Sequence, residues 1–401
     1  MHLYRASWVI PVATPPIQDG AVLVENGTIL KVDRYTALKG EAPVIDYEDS
    51  VITPALVNGH CHLELSHLSS LGKEKNWDGD MASWISKLLV LREELIDLDV
   101  LSEARRALAS LHLSGVGLVA DVGNMLGSAK IGNKSPANVL FLLELLGLSH
   151  IGEQRARSYL DEARGFEKDS NNMVESTAHA PYSCTTGLLK KLKIESQGRG
   201  SLFSIHAAES EDEIEFLHTA TGRLRFFVEE RGAWDGSFHP PGCGAIQYLD
   251  QLDLLDANTL CVHSVHVSEQ ELSLLAGKKA KVCVCPGSNR YLGVGVAPVT
   301  EMISHGILPA IGTDSLASNP RLNIWEEMRI LREDHPGVNP ETVFMMATRG
   351  GAEALGKTEF GTIAPGKTGK LLAVKCSTSR STDVMDVLTS TGSKTEVSWI
   401  I

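Results

Sequence analysis

His60-Cys61-His62 closes the apolar run Val51-Ile-Thr-Pro-Ala-Leu-Val-Asn-Gly, and alternation along a strand would put both imidazoles on one face. The pair alone is a weak signal, because a chain with 14 histidines in 401 residues meets His-x-His by chance. Later positions change its weight. His179 follows the apolar stretch 173–178, and His206 and Glu209 lie at the end of 201–207. His263 lies in 259–265 with His266 three residues on, and Asp314 follows 306–312. Three neutral imidazoles and one carboxylate suit Zn²⁺, with Fe²⁺ as the alternative, and leave an open position for water. A bound dication draws the pKa of such a water toward neutrality and makes it a nucleophile. In that chemistry Asp314 binds the ion and accepts the water's proton. Glu209, one helical turn past His206, protonates the leaving side of a substrate, and His263 stabilises charge on the attacked centre. His266 falls on the other face of an extended strand and is expected behind the site.

Residues so far apart in the chain need a scaffold that returns to one level. Eight short apolar runs, 51–58, 115–122, 138–146, 173–178, 201–207, 259–265, 280–285 and 306–312, alternate with longer amphipathic segments. Ser102 to Leu113 and Pro340 to Leu355 have helical period, with Gly356 as a C-cap. Eight such units predict an α/β fold, a (β/α)₈ TIM-type barrel whose active site lies at the C-terminal strand ends. The chain ends read differently. Glu25-Asn26-Gly27 between two apolar runs is a hairpin signal, and Lys370-Leu-Leu-Ala-Val-Lys precedes further short strand-like pieces. We therefore expect residues 54–360 to form the barrel, and 1–53 with 361–401 to form a small β-sandwich domain.

Composition sets the outer bounds. The formal charge of −13 argues against a nucleic-acid backbone or an anionic membrane as partner and fits a small-molecule substrate. No stretch has the length and apolarity of a membrane span, and the N-terminal residues meet proline too early for a signal peptide. Seven cysteines, mostly within apolar runs, read as reduced core residues of a cytoplasmic protein. Homo-oligomerisation stays open.

Four motifs in order, Thr53-Pro-Ala-Leu-Val-Asn-Gly-His-Cys-His, His206-Ala-Ala-Glu, Val262-His-Ser-Val-His and Gly312-Thr-Asp-Ser-Leu-Ala-Ser-Asn, resemble the amidohydrolase superfamily. The nearer likeness is to its mononuclear deaminase and chlorohydrolase branch, and it covers almost the whole chain. The resemblance implies metal ligands at His60, His62, His206 and Asp314, with Glu209 and His263 catalytic. Binuclear members carry a strand-four lysine, and 173–183 contains none, so one divalent ion is expected.

Within the branch, His179-Ala-Pro-Tyr-Ser resembles a ribose-binding motif of adenosine-type deaminases, and Trp84 with Glu93 resembles a second ribose contact. His62-Leu-Glu64-Leu-Ser, Phe141-Leu-Leu-Glu-Leu-Leu-Gly and Asp314-Ser-Leu-Ala-Ser-Asn look most like the aminodeoxyfutalosine deaminases of menaquinone biosynthesis. This implies an adenine-type nucleoside substrate touched by Glu64, Glu93 and His179, its carboxylate met by Arg290 or Arg155. The sequence departs from relatives at Gly287, where many carry arginine, and at Lys367-Thr-Gly-Lys370. Deaminases of adenosine, 5′-methylthioadenosine or S-adenosylhomocysteine are the close alternative. Guanine or cytosine deaminases and chlorohydrolases stand farther off, and an inactive ligand-binding barrel is the reading from another class. Gly351-Ala-Glu-Ala-Leu-Gly356-Lys357-Thr358 matches a phosphate-loop pattern, but strong helix formers fill its centre and no strand leads into it. Cys283-Val-Cys285 reads as core.

Overall fold

The computed structural model describes all residues except 75–76, 78–79, 96–98, 171 and 377–379. Five strands open the chain: β1 (His2–Val9), β2 (Ile17–Glu25), β3 (Thr28–Arg34), β4 (Val44–Asp46) and β5 (Ser50–Pro54). Asn26 (φ 49°) and Gly27 (φ 75°) turn β2 into β3 with two positive φ angles, the geometry an Asn-Gly hairpin favours. Eight strands follow, alternating with helices. They are β6 (Leu56–Cys61), β7 (Val116–Gly123), β8 (Asn138–Leu145), β9 (Glu175–Ala178), β10 (Phe203–Ala207), β11 (Thr259–His263), β12 (Lys281–Val284) and β13 (Ala310–Ile311). The chain ends with β14 (Leu371–Lys375) and β15 (Val397–Trp399).

The predicted first barrel strand, 51–58, is in fact two. β5 pairs with β1 and β14, whereas β6 pairs in parallel with β7. Between them the Ala55 amide donates to the Lys370 carbonyl, so the chain passes there from one sheet to the other. Strands from both chain ends thus share a single seven-stranded sheet in the order β15-β14-β5-β1-β2-β3, with β4 on β1. The expectation of only short strands after β14 needs correction, because Ser381–Ser390 is a helix. Its buried Val384, Met385 and Leu388 follow helical spacing. Pro340 to Leu355 is likewise less regular than expected: a π-helical turn, Met346–Gly350, interrupts it, and Gly356 (φ 66°) ends it. Helix Gly351–Ala354 continues directly from that turn, which leaves the Gly351–Thr358 segment without the strand a phosphate loop needs.

β6-β7-β8-β9 and β10-β11-β12-β13 are parallel four-stranded sheets that close a (β/α)₈ barrel. At one seam the His206 amide donates to the His179 carbonyl (2.8 Å). At the other, the amides of Thr313 and Asp314 both donate to the His60 carbonyl (3.1 Å each). Gly312 permits that approach, since a Cβ there would lie 2.8 Å from the His60 oxygen. Asn58, fully buried, bridges the same seam. Its Nδ2 donates to Thr313 Oγ1 (2.8 Å), and its Oδ1 accepts from the Thr313 amide (3.1 Å). Alternation divides the packing: Leu140 and Leu142 join the apolar cluster inside the barrel, while Phe141 and Leu143 pack against the surrounding helices.

Replacing Asn58 with Ala should destabilise the fold by about 2–4 kcal/mol, because it removes these bonds and leaves buried Thr313 groups unpaired. Urea unfolding measures this, and a loss below about 0.5 kcal/mol, the range of surface substitutions, would show the seam does not depend on Asn58.

Candidate metal centre and active site

The strand ends bring His60, His62, His206, His263 and Asp314 into one buried cluster. His60 and His62 ring centroids lie 4.8 Å apart, and His60 is 4.8 Å from His206. Asp314 Oδ1 stands 3.6 Å from His60 Nε2 and 3.5 Å from His62 Nε2. Its Oδ2 is held by the hydroxyls of Ser288 (2.7 Å) and Ser318 (2.5 Å), so the first oxygen faces the imidazoles. Glu209 sits between two rings, with Oε2 3.8 Å from His206 Nδ1 and Oε1 3.5 Å from His263 Nε2. Asn289 Oδ1 pairs with His263 Nδ1 (2.8 Å), which turns Nε2 toward Glu209.

Several of these side chains emerge from strained backbone. His263 (φ 70°), Ser264 (φ 47°), Ala208 (φ 56°) and Asp314 (φ 55°) adopt the left-handed region that non-glycine residues avoid. Each such position costs on the order of 1 kcal/mol and persists because the closed barrel over-determines it.

Burial keeps His60 and His206 neutral, lowering their pKa to about 4 and about 3. Burial would raise the Asp314 pKa, but the His60 ring 3.6 Å away and the nearby His62 and His263 hold it well below the carboxylate range. Neutral imidazoles beside an ionised carboxylate are what a divalent ion requires. Both ring nitrogens of His60 and of His206, and Nε2 of His263, are buried without a hydrogen-bond partner. Buried polar atoms are rarely left so, and here they converge on overlapping three-donor groups within which donor atoms lie within 4.8 Å of one another. The donor set fits a metal ion.

Other expected residues lie elsewhere or turn out differently. His179 borders the cluster, its ring 5.1 Å from His206 and its Nδ1 paired with Ser183 Oγ (2.7 Å). His266 bonds the Val294 carbonyl (2.8 Å), away from the metal-capable groups. Glu64 is buried, but its carboxylate accepts from the amides of Asn124 (2.8 Å) and Met125 (3.1 Å) and from Ser128 Oγ (3.0 Å). It fastens the loop after β7 rather than offering a free acceptor. Glu93 is exposed on helix Met81–Glu94. Nine residues at 100° each make two and a half turns, so Trp84 and Glu93 leave the helix on opposite sides. Trp84 instead packs by Leu68 and Ala317, with Nε1 directed at the Ala317 carbonyl (3.4 Å). Arg290 is paired with Glu333 (2.9 Å) and Asp334 (2.6 Å), and Arg155 is exposed. Gly287 has no room for the arginine of its relatives, since a Cβ would meet Glu327 Oε1 at 2.5 Å and Asn319 Nδ2 at 2.6 Å. Glu144 was not expected: its Oε1 lies 3.5 Å from His206 Nε2. Its signal was parity, since it follows Leu140 and Leu142 on the inward face of β8.

Residues 51–393 match the model of the amidohydrolase family. The chain belongs to the amidohydrolase family. This amidohydrolase is 27% identical over 385 residues to a 5-methylthioadenosine/S-adenosylhomocysteine deaminase of Desulfitobacterium hafniense, covering 91% of this chain and 83% of that protein. Its fold matches the aminofutalosine deaminase of Helicobacter pylori with a TM-score of 0.84 at 23% identity, covering 97% and 96% of the two chains. It also matches an adenosine deaminase of Xanthomonas campestris with bound zinc (TM-score 0.78, 21% identity, 97% and 88% covered).

Two buried carboxyls beneath the site make its stability depend on pH. Burial raises the pKa of Glu327, which accepts from the Gly287 amide (2.7 Å) and Asn319 Nδ2 (2.7 Å), to about 8. Burial likewise raises Glu213, which accepts from the Glu209 amide (2.8 Å), to about 8. A raised carboxyl pKa gives stability that is complete below the unfolded value near 4.5 and is lost as pH rises through 8. Glu327→Gln, which mimics the protonated form, should therefore gain stability relative to wild type between pH 5 and 8, by at most about 1.4 kcal/mol per pH unit. A pH-independent difference in denaturant midpoints across that interval would contradict a neutral Glu327.

Proposed function

We propose that this amidohydrolase is a metal-dependent hydrolytic deaminase of an adenine-type nucleoside, exchanging the C6 amino group for oxygen and releasing ammonia. The observation that carries the reading is Glu209, buried between His206 and His263 beside the three-histidine, one-aspartate cluster. A purely structural metal site would be closed and would need no such carboxylate. The relatives named as nucleoside deaminases support the same reading.

His60, His62, His206 and Asp314 would hold one ion, and 173–183 offers no lysine to bridge a second. We assign Zn²⁺, with Fe²⁺ as the alternative. When bound, such an ion supplies a water nucleophile at neutral pH. Asp314 takes the proton of the attacking water, while its Oδ2 stays fixed by Ser288 and Ser318. Glu209 delivers a proton to the ring nitrogen beside C6, which makes the ring an electron sink. Asp314 then passes the proton it took from water to the amino group, which leaves as ammonia, and the C6 hydroxyl returns its proton to Glu209 as the carbonyl forms. His263, steadied by Asn289, faces Glu209 with Nε2 and stabilises charge on the attacked centre. His179 lies at the rim, where Ser183 orients it toward the nucleoside.

Aminodeoxyfutalosine remains our preferred substrate. The engagement of Arg290 with Glu333 and Asp334 removes one anchor for its carboxylate. The Desulfitobacterium relative favours a thioether nucleoside, 5′-methylthioadenosine or S-adenosylhomocysteine, as the second reading. The same account takes residues 1–53 with 361–401 as one unit and 54–360 as the catalytic barrel. Seven free, buried cysteines support a cytoplasmic setting. Among the described residues, no helix is long and apolar enough to cross a membrane.

A deamination panel followed by ultraviolet absorbance and ammonia release tests the reading, comparing aminodeoxyfutalosine with adenosine and its 5′-thioethers. Turnover of at least one is expected, and none on any of them with metal loaded would overturn it. Glu209→Gln should keep its metal and lose about 10²–10⁴-fold in kcat, the range for general acid–base catalysis. Near-wild-type turnover in that variant would refute the proton-transfer role.

A further inference from the structure

We propose that Glu144 is a fifth protein ligand of the metal centre. The inference rests on the reading of the cluster as a metal site and adds a residue to it.

Glu144 is 5% exposed, and its Oε1 is buried without a hydrogen-bond partner. That oxygen lies 3.5 Å from His206 Nε2, itself unpartnered. Glu144, His62 and His206 form a three-donor group with all ligand atoms within 4.8 Å of one another. A second such group is His60, His62 and Asp314, so the two carboxylates share His62 between them. Asn124 Nδ2 fixes the rest of the Glu144 residue, donating to its carbonyl (3.0 Å) and to Oε2 (3.2 Å). The free oxygen is thus aimed by design of the loop after β7, whose amides Glu64 holds in turn.

A buried carboxylate oxygen with no partner is costly. Among the described residues, no lysine or arginine stands within ion-pair distance of Glu144 to compensate it. A dication between the imidazoles and the two carboxylates would satisfy Oε1, both Nε2 atoms and Asp314 together. Three imidazoles with two carboxylates exceed the four donors of a closed tetrahedral zinc site and move the set toward metals that accept higher coordination.

Cobalt(II) supplies the test, because its visible spectrum reports coordination number without turnover. Apo-protein is loaded with Co²⁺ alone, and wild type, Glu144→Gln and Glu144→Asp are compared by spectrum and by chelator competition. The proposal expects Glu144→Gln to bind Co²⁺ at least tenfold more weakly, with a more intense spectrum that reports a lower coordination number. Glu144→Asp, which keeps the charge on a shorter arm, should fall between. An unchanged spectrum in Glu144→Gln overturns ligation, whatever the affinity, because a merely positioning carboxylate would leave the coordination number alone. Should Glu144→Gln fail to fold, a crystal structure of metal-loaded wild type decides: a Glu144 oxygen within about 2.4 Å of the ion supports ligation, and a longer separation excludes it. Wild type that binds no metal would defeat the metal-site reading itself. Wild type that binds metal with Glu144 indifferent defeats only this inference.

Discussion

The barrel closes through the backbone of the residues that carry its chemistry. The His60 carbonyl receives the amides of Thr313 and Asp314, and the His206 amide reaches the His179 carbonyl across the other seam. Joining the two four-stranded sheets and assembling the ligand cluster are therefore one event. Asn58 and Gly312 serve both ends at once, the first by bridging β6 to Thr313 and the second by letting the backbones meet.

That closure sustains an arrangement that is unfavourable by itself. Imidazoles are buried with unpaired nitrogens, the Asp314 carboxylate is held ionised away from water, and His263 and Asp314 sit in left-handed backbone. The buried donors cost free energy by themselves, which a cation among them would offset, while the closed barrel sustains the backbone strain. Apolar packing on both sides of the strands supplies the stability that the site spends. The supporting carboxyls point the same way: Glu213 and Glu327 are kept near neutrality so that they brace the Glu209 and Gly287 amides without adding charge under the cluster.

The strand-end histidines were legible because short apolar runs and a barrel's geometry converge on one rim. Reading 51–58 as one strand failed because periodicity is blind to a change of sheet, which depends on Ala55 meeting Lys370 far along the chain. The helix Ser381–Ser390 was missed for want of a long amphipathic pattern. Glu93 stands exposed near the end of its helix, on the side away from Trp84, as the nine-residue spacing already implies. Glu64 was not foreseeable, because its role depends on the loop at 124–128 folding back onto it. Glu144 hid inside Phe141-Leu-Leu-Glu-Leu-Leu, where an apolar run suggests core, although its parity with Leu140 and Leu142 already pointed it into the barrel.

The most direct test of the account is the number of metal ions bound by wild-type protein. Elemental analysis after loading with Zn²⁺ or Fe²⁺ and removal of excess should give one tightly bound ion per chain. Two ions per chain would contradict the single cluster, and none would contradict the reading of its unpaired imidazoles as ligands.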